Sequence, residues 1–308
     1  MTKAISTAIS VRALKERDLD EADRICRTAF GTFLGVPQPE TFFGDSAYVR
    51  TRYAAPNTVA LAAEFDGELV ASNFVTSWGS VGFFGPLSVR VDLWDRKIAS
   101  ALMEETMGVF ARWGTEHAGL FTWADSAKHH GLYQKFGFFP TFLTPVLSKP
   151  VVADERGAYI VSADDGAPLD VCREISENVY PGLDLSDEIR SVRTQGLGDI
   201  VVLPEADGFA VCHVGAGTEA GSGACFVKFA AVRPGASDRF ASLVQACEAF
   251  AARQGVERLV MGMNAGRLDA YRMLIERGFR ADLTGVAMQQ GGDLGYNRPT
   301  TFVADDWR

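Results

Sequence analysis

Hydrophobic and polar positions alternate in two ways along this chain, and the two periods predict its strands and helices. A period of two is clearest in residues 58–65 and 68–78, which Asp66-Gly67 joins as a dipeptide typical of two-residue hairpin turns. Helical spacing is clearest in residues 16–30, where apolar side chains recur every three or four positions. The pattern therefore predicts an amphipathic helix, after a short first strand, and then a hairpin.

The same two periods divide the rest of the chain. Further predicted strands cover residues 81–91, 119–124, 138–147, 158–162, 200–204, 208–214, 225–232, 258–263, 279–288 and 300–303. Further predicted helices cover residues 95–115, 126–136, 167–180, 187–194, 237–254 and 268–277. Helices that alternate with strands and hairpins indicate an α/β protein with mixed sheets.

One order of elements occurs twice in this pattern. Gly137-Phe138 near the end of the first half is mirrored by Gly278-Phe279 near the end of the second. Residues 149–157 between the halves are polar and turn-rich. A chain of 308 residues also suits two domains of roughly 150 residues each. The sequence therefore predicts two related domains, residues 1–152 and residues 153–308.

Composition limits the compartments and the binding partners that are compatible with this chain. With 22% charged residues and a net charge of −9, the chain has no basic excess for nucleic acid or anionic membranes. No apolar run reaches the roughly 18 residues of a membrane span, and the first residues lack the apolar core of a secretory signal. Five scattered cysteines suggest reduced thiols, and the four histidines lack metal-ligand spacing. We expect a metal-free cytoplasmic protein, monomeric or homodimeric, with a small-molecule partner.

A candidate anion site lies where a predicted strand meets a predicted helix. Residues 87–91 place alternate apolar side chains on one face, and a helix follows with the small residues Ala99 and Ser100 in its first turn. Unpaired backbone N–H groups and the helix dipole at such a start favour an anion such as pyrophosphate. Arg96 and Lys97 add positive charge there. The alternative is an ordinary crossover between a strand and a helix.

At these residues the chain resembles the GNAT superfamily of acyl-CoA-dependent N-acyltransferases, in its tandem two-domain form. The most specific pieces are residues 89–102 and residues 131–138, Gly-Leu-Tyr-Gln-Lys-Phe-Gly-Phe. The resemblance implies two GNAT-like domains, each a twisted mixed sheet flanked by helices, and acetyl-CoA as the cofactor. Pantetheine would lie in a wedge between the strand ending near Val91 and the strand near Phe121. The implied cofactor contacts are Val89, Arg90, Val91, Arg96, Lys97, Ile98, Ala99, Ser100 and Ser126.

The resemblance also implies a catalytic group, Tyr133, in the pattern Tyr-x-x-x-Gly-Phe, which would protonate the departing thiolate. Helical spacing places Ser126, His129, His130 and Tyr133 on one face. One of the two histidines is then a candidate to accept the proton of the amine, and the alternative is a structural role for each. Asp125 is the expected N-cap of this helix.

This sequence departs from the family pattern at the phosphate loop. The pattern Gln/Arg-x-x-Gly-x-Gly/Ala falls on Trp94, Lys97 and Ala99, and only Ala99 matches. A side chain at Lys97 adds bulk where glycine lets phosphates approach, although its ammonium can pair with phosphate.

The second half departs further. Asp238 would repel pyrophosphate, Phe240 replaces a small residue, and Leu274 stands where the first half has Tyr133. Asp238 or Ser237 is better explained as a helix N-cap. We therefore expect the second domain to be degenerate and the first to do the chemistry. The alternative is that the second domain does the chemistry, as in some tandem proteins that this chain resembles.

The predicted function is an acetyl-CoA-dependent N-acetyltransferase that acts on a small amine by direct attack in a ternary complex. Phe33, Phe42, Phe43 and Trp78 suggest an acceptor with an apolar portion. One alternative is a non-catalytic acyl-CoA-binding or regulatory module. Another is an N-acetyltransferase for proteins, which would need an open groove.

Overall fold

The computed structural model describes residues 9–152 and 167–308, which contain helices packed on one mixed sheet. The thirteen strands of this described part are β1 Ile9–Ala13, β2 Thr58–Phe65, β3 Glu68–Trp78, β4 Val81–Phe84, β5 Ser88–Val89, β6 His117–Trp123, β7 Phe138–Pro150, β8 Gly198–Val202, β9 Gly208–Gly215, β10 Gly221–Val232, β11 Arg258–Gly262, β12 Arg280–Gln290 and β13 Val303–Ala304. Its α-helices are α1 Leu19–Phe33, α2 Val49–Tyr53, α3 Ile98–Trp113, α4 Ala127–Gln134, α5 Ala167–Val179, α6 Ser186–Gln195, α7 Arg239–Arg253 and α8 Leu268–Glu276. The predicted strand over residues 158–162 lies outside the described residues.

The two halves of the chain share this sheet by exchanging strands. Its order is β1-β2-β3-β4-β6-β12-β7-β11-β10-β9-β8. Strand β12 of the second half therefore lies between β6 and β7 of the first, and β7 pairs onward with β11 of the second half. Each half thus completes its sheet with the last long strand of the other half.

Much of the predicted pattern is confirmed, including the α/β class. Strands β2 and β3 have the predicted bounds, and Asp66 and Gly67 between them both have positive φ, 54° and 84°. Positive φ at both central residues is the conformation that a tight hairpin turn of this kind requires. In the described part of the chain, no helix combines the length and the apolarity that crossing a bilayer demands.

The predicted strand over residues 81–91 is wrong in its second part. It is interrupted after β4 by Gly85-Pro86, resumes for the two residues of β5, and gives way to a 3₁₀ turn at Val91. Pro86 has no N–H to donate to a neighbouring strand, so regular pairing stops there. Val91 consequently does not share a strand face with Val89.

Two helix starts also differ from the prediction. Helix α3 begins at Ile98 rather than at residue 95, because Asp95 and Lys97 have left-handed φ values of 65° and 63°. The N-cap of α4 is Ser126, whose hydroxyl accepts from the backbone N–H of His129, and not Asp125. Asp238 occupies the N-cap position of α7, without a side-chain hydrogen bond to that helix.

A buried cluster of charges joins the two halves of the chain. Arg52 of α2 forms a bidentate pair with Glu219, at 2.8 and 3.1 Å. Lys228 of β10 contacts both Glu219 and Glu188, at 3.0 and 3.2 Å. Burial alone would raise the pKa of the Glu219 carboxyl, but Arg52 and Lys228 hold it well below its ordinary value. Two cations thus balance two carboxylates at this junction.

His213 of β9 lies beside this cluster and makes stability depend on pH. Burial lowers its pKa to about 4, and neither ring nitrogen has a hydrogen-bond partner among the described residues. Its pKa in the unfolded chain is about 6.5, so between these values only the unfolded chain binds the proton. Stability contributed by neutral His213 is therefore present above pH 6.5 and lost as the pH falls toward 4.

We expect His213 alone to remove about 2 kcal/mol of unfolding free energy between pH 7 and pH 5. Urea unfolding at the two pH values measures this loss, and the variant His213→Gln should reduce the difference by about this amount. An equal loss in His213→Gln would assign the pH dependence to other groups, such as His117, whose pKa burial also lowers.

Candidate active site

A wedge opens in the sheet where β4 and β6 separate. The two strands pair in parallel over four positions, from Val81 opposite His117 to Phe84 opposite Leu120. Beyond Phe84 the chain continues as β5, which pairs only with β3 among the described strands. The space between β5 and β6 is a cavity of about 530 Å³, bounded by α3 and α4.

The backbone of Val89 faces this wedge. Arg90 N–H donates to the Val70 carbonyl at 2.8 Å, and Ser88 lies opposite Ser72 on β3. Successive residues of an antiparallel strand direct their polar backbone groups to opposite sides, so those of Val89 point away from β3. Its carbonyl accepts the indole N–H of Trp94 at 2.9 Å. The Val89 N–H is the polar backbone group that this strand offers to the wedge.

The N-terminus of α3 borders the same wedge. Its first intrahelical hydrogen bond runs from Ala101 N–H to the Lys97 carbonyl at 3.1 Å. The N–H groups of Ile98, Ala99 and Ser100 precede that bond and have no acceptor among the described residues. Three adjacent N–H groups at a helix start, with the helix dipole behind them, can bind a phosphate group.

A charged and aromatic rim narrows the entrance to this anion site. Lys128 of α4 pairs with Asp95 at 3.0 Å and lies over the ring of Trp94, 4.8 Å from its centre. Both pairs bridge from the loop before α3 to the start of α4 across the wedge. The wedge is therefore lined by the backbone of β5 on one side, and the indole of Trp94 bounds its outer end.

Lys97 holds a conformation that suits glycine. Its left-handed φ of 63° is sterically unfavourable for a residue with a Cβ. We expect Lys97→Gly to raise the unfolding free energy by about 0.5–1 kcal/mol. Chemical denaturation measures it, and Lys97→Ala is the matched control because it keeps the Cβ. Equal stability of the two variants would contradict a conformational cause.

A second, smaller cavity of about 250 Å³ adjoins the inner end of the wedge. The two cavities share Phe30, Leu87, Trp123 and His129 as lining residues. Aromatic side chains dominate the smaller one, and no carboxylate side chain is among its described lining residues. Its aromatic walls are Phe30, Phe42, Phe43, Tyr48, Phe84, Phe121, Trp123, Tyr133 and Trp307.

Tyr133 of α4 lines this smaller cavity. Its ring packs edge-on against Phe84 at 5.6 Å, and burial raises the pKa of its phenol well above the ordinary value. The hydroxyl has no hydrogen-bond partner among the described residues. A phenol that stays protonated and is not engaged elsewhere can donate a hydrogen bond or a proton into the cavity.

His129 stands between the two cavities, one helical turn from Tyr133. Burial, with smaller contributions from Lys128 and His130, lowers its pKa to about 4. Its Nδ1 lies 2.8 Å from the Ser126 hydroxyl oxygen, and its ring contacts that of Phe33 at 4.8 Å. The imidazole is therefore neutral at pH 7 and held in one orientation.

The structure does not bring every predicted site residue to these cavities. His130 directs Nε2 to the Trp123 carbonyl at 3.1 Å and lines neither cavity. Arg90 pairs with Asp92 and Glu68 on the surface, because β5 ends before it. Val91, Arg96 and Trp78 also lie outside the described linings. The residues that do come together are Val89, Lys97, Ile98, Ala99, Ser100, His129 and Tyr133, with Ser126 bonded to His129.

Sequence reasoning missed several residues of the smaller cavity. Tyr48, Leu283, Trp307 and Arg308 come from segments far apart in the chain. Trp123 at the end of β6 had a detectable signal, since it closes the strand that faces the wedge. Leu283 reaches the cavity through the strand exchange, Trp307 and Arg308 through the path of residues 296–308, and Tyr48 from the segment before α2.

Comparison with known proteins identifies the first half. Residues 26–138 match the Acetyltransferase (GNAT) family, and this span carries every described lining residue of the wedge. Residues 26–138 are a GNAT acetyltransferase domain. GNAT proteins use acetyl-CoA as the acetyl donor, so the predicted acetyltransferase and its cofactor are confirmed for this domain.

Solved structures share the fold of the whole chain. A protein of Pyrococcus horikoshii is 14% identical over 98% of this chain and 96% of its own, with a TM-score of 0.69. A GCN5-related N-acetyltransferase of Sphaerobacter thermophilus is 15% identical over 93% and 98%, with a TM-score of 0.59. A tandem GNAT protein from the clavulanic acid biosynthesis pathway is 11% identical over 93% and 100%, with a TM-score of 0.54. No curated protein matches the chain in sequence.

The wedge of the GNAT domain fits acetyl-CoA. The outward N–H of Val89 matches a thioester carbonyl, and the three N–H groups at the start of α3 match a diphosphate. Ala99 keeps the helix start accessible. Lys97 contributes an ammonium group at the same end, in place of the close backbone approach that glycine allows.

Proposed function

We propose that this chain transfers the acetyl group of acetyl-CoA to a small, apolar amine that binds in the aromatic cavity beside the wedge. The observation that supports this most is the junction of the two cavities at His129, with Tyr133 next to it. A donor in one cavity and an acceptor in the other would meet at these two side chains.

Acetyl-CoA supplies the acetyl group as a thioester. In this proposal the Val89 N–H donates to the oxygen on which negative charge develops. Tyr133 is placed to donate its proton toward the sulfur, since its raised pKa keeps the phenol protonated throughout the neutral range. Both groups are fixed in a strand or helix of the domain, so little reorganisation is needed during the reaction.

His129 is the proposed acceptor of the amine proton. The Ser126 hydroxyl at Nδ1 can accept an N–H from the ring, which leaves Nε2 as a proton acceptor. With a pKa of about 4 the ring is available in its neutral form. Ser126 is then a positioning residue, because it orients the imidazole without lining either cavity.

Direct attack by the amine is supported by the state of the cysteines. All five are buried, and none lines the two cavities. Burial raises the pKa of Cys26, on α1 beside the site, to about 12, so its thiol is not a nucleophile at neutral pH. A reaction in a ternary complex requires no covalent intermediate on the protein.

The lining of the smaller cavity supports an acceptor with a single amine on an apolar body. Its aromatic walls can surround a ring or short alkyl group, and the absence of carboxylates among the described lining residues leaves a polycation without a counter-charge. A cavity of about 250 Å³ also differs from the open groove that a protein substrate needs. The proposed class is therefore a small aryl- or alkylamine.

We expect Ala99→Asp to abolish acetyl-CoA binding. The new carboxylate would lie among the N–H groups at the start of α3 and repel a diphosphate. Isothermal titration calorimetry with acetyl-CoA measures the change, and Ala99→Ser is the control of similar size without charge. Undiminished binding to Ala99→Asp would mean that the cofactor is held elsewhere.

Thiol release from acetyl-CoA tests the reaction itself. We expect release with 2-phenylethylamine and tryptamine, and little with spermidine or a lysine-containing peptide. Acetyl-CoA binding without release for any amine would favour the non-catalytic binding module instead. Release with the peptide alone would favour a protein N-acetyltransferase.

A further inference from the structure

The second half of the chain has a counterpart to the wedge, and residues 296–308 enter it. We call these residues the closing segment. Strands β10 and β11 pair in parallel over four positions, from Ala224 opposite Arg258 to Val227 opposite Met261, as β4 and β6 do in the first half. Beyond these positions β13 pairs with β10 at Ala230 and Ala231. Because β9 holds the other edge of β10, β13 lies on the side that in the first half is open.

The closing segment accepts a hydrogen bond from the backbone N–H that a cofactor would otherwise bind. Val232 of β10 corresponds to Val89 of β5, since each lies five residues beyond the last parallel pair. Whereas the Val89 N–H faces the open wedge, the Val232 N–H donates to the Phe302 carbonyl at 3.2 Å. Phe302 also packs on Phe240, 5.6 Å between ring centres. Phe240 precedes Gly278 by the same interval as Ala99, the small residue at the start of α3, precedes Gly137.

A buried arginine, Arg267, holds the closing segment in place through hydrogen bonds. Arg267 is the N-cap of α8, as Ser126 is the N-cap of α4, and the two occupy the same position in the repeat. Its guanidinium donates to Asp305 and, at 2.9 Å, to the Val303 carbonyl, and its side chain is fully buried. Asn297 Oδ1 accepts from Nε at 3.0 Å and, at 2.9 Å, from Nη2, the nitrogen that also donates to Asp305. The position that orients His129 in the first half thus holds the closing segment in the second.

The end of the closing segment reaches the acceptor cavity of the first half. Tyr296 donates its hydroxyl proton to Asp305 at 2.6 Å and accepts the indole N–H of Trp307 at 2.8 Å. Trp307 and Arg308 then line the aromatic cavity next to Tyr133. One chain of buried hydrogen bonds therefore runs from Arg267 to a wall of that cavity.

From this arrangement we propose that the closing segment takes the cofactor's place in the second half, and that Arg267, acting through it, positions Trp307 for acceptor binding. The chain then binds one acetyl-CoA, and its second half serves to build the acceptor site of its first. The role in acceptor binding rests on the proposed function, whereas occupation of the second wedge does not.

Calorimetry with acetyl-CoA tests the occupied wedge. We expect one binding site per wild-type chain and none in Ala99→Asp. Hydrogen exchange of residues 303–305 should be slow and the same with and without acetyl-CoA. Two sites per chain, a site that survives in Ala99→Asp, or faster exchange of residues 303–305 on adding acetyl-CoA would overturn the proposal.

Steady-state kinetics with 2-phenylethylamine test the positioning role. We expect Trp307→Ala and Arg267→Gln each to raise the KM for this amine about tenfold, with acetyl-CoA affinity unchanged. The double variant should be no worse than either single one, because both remove the same wall, and Arg267→Lys should recover part of the loss. Arg272→Gln, an exposed arginine of α8, is the matched control.

A lower melting temperature of Arg267→Gln with an unchanged KM would reduce Arg267 to a structural residue and overturn the positioning role. If no amine is acetylated, the proposed function fails, but the stoichiometry and the exchange data still decide whether the wedge is occupied. Calorimetric binding of 2-phenylethylamine to the CoA-loaded wild type and Trp307→Ala then replaces the kinetics, and equal affinities would contradict the role.

Discussion

Replacing Tyr133 by phenylalanine is expected to lower kcat about 10- to 1000-fold while acetyl-CoA affinity stays within about twofold of wild type. The phenol ring packs against Phe84 and remains in the variant, so the aromatic wall is kept. Only the hydroxyl is lost, which has no hydrogen-bond partner among the described residues. Single-turnover kinetics with saturating acetyl-CoA and calorimetric titration separate the two quantities.

Tyr271→Phe provides the control for this substitution. Tyr271 lies on α8, the helix that corresponds to α4, and packs against the core of the second half. We expect its loss to leave turnover unchanged. If Tyr133→Phe turns over as fast as wild type, Tyr133 has no part in the chemistry, whereas an effect of Tyr271→Phe would move the chemistry to the second half.

The variant Arg52→Met is expected to lower the unfolding free energy by about 3–5 kcal/mol. It leaves the buried Glu219 and Glu188 with Lys228 as their remaining close cation, so one negative charge is uncompensated away from water. Arg52 also donates to the Gly85 carbonyl and to the backbone oxygen of Arg308, which ties both halves to the acceptor cavity. Urea denaturation followed by circular dichroism measures the loss.

Two further variants test whether the loss of stability comes from the buried ion pair. Arg50→Met removes an exposed arginine of the same helix, paired with Asp20 at the surface, and should cost less than about 1 kcal/mol. The double variant Arg52→Met/Glu219→Gln removes the charge with its partner and should recover part of the stability. A loss as large in Arg50→Met would assign the effect to the helix rather than to the buried pair.

The local elements of this protein were predictable because their signals are short-range. Asp66-Gly67 fixed the β2–β3 hairpin and its register, and the glycines at 137 and 278 marked the two helix ends that define the repeat. The predicted element bounds were wrong where a proline or a left-handed residue interrupts the hydrophobic pattern. Pro86 interrupts the apolar alternation of residues 81–91, and left-handed Asp95 and Lys97 delay the start of α3.

The candidate site was predictable on the side built by α3 and α4 and not on the side built by distant segments. Ala99, His129 and Tyr133 follow from helical spacing and from the family pattern. Arg52 and Glu219 are 167 residues apart, and no periodicity connects them. Arg267 could have been noticed because it occupies the place of Ser126 in the repeat, but only the folded chain shows that it holds Asp305.

The strand exchange also fixes when this protein can finish folding during its synthesis. The edge of β6 is covered by β12, which ends at residue 290, so it stays unpaired until synthesis has passed β12 of the second half. An unpaired edge with the apolar side chains of Leu120 and Phe121 is a template for pairing with other chains. The nascent first half therefore exposes an unpaired strand edge until the second half follows it.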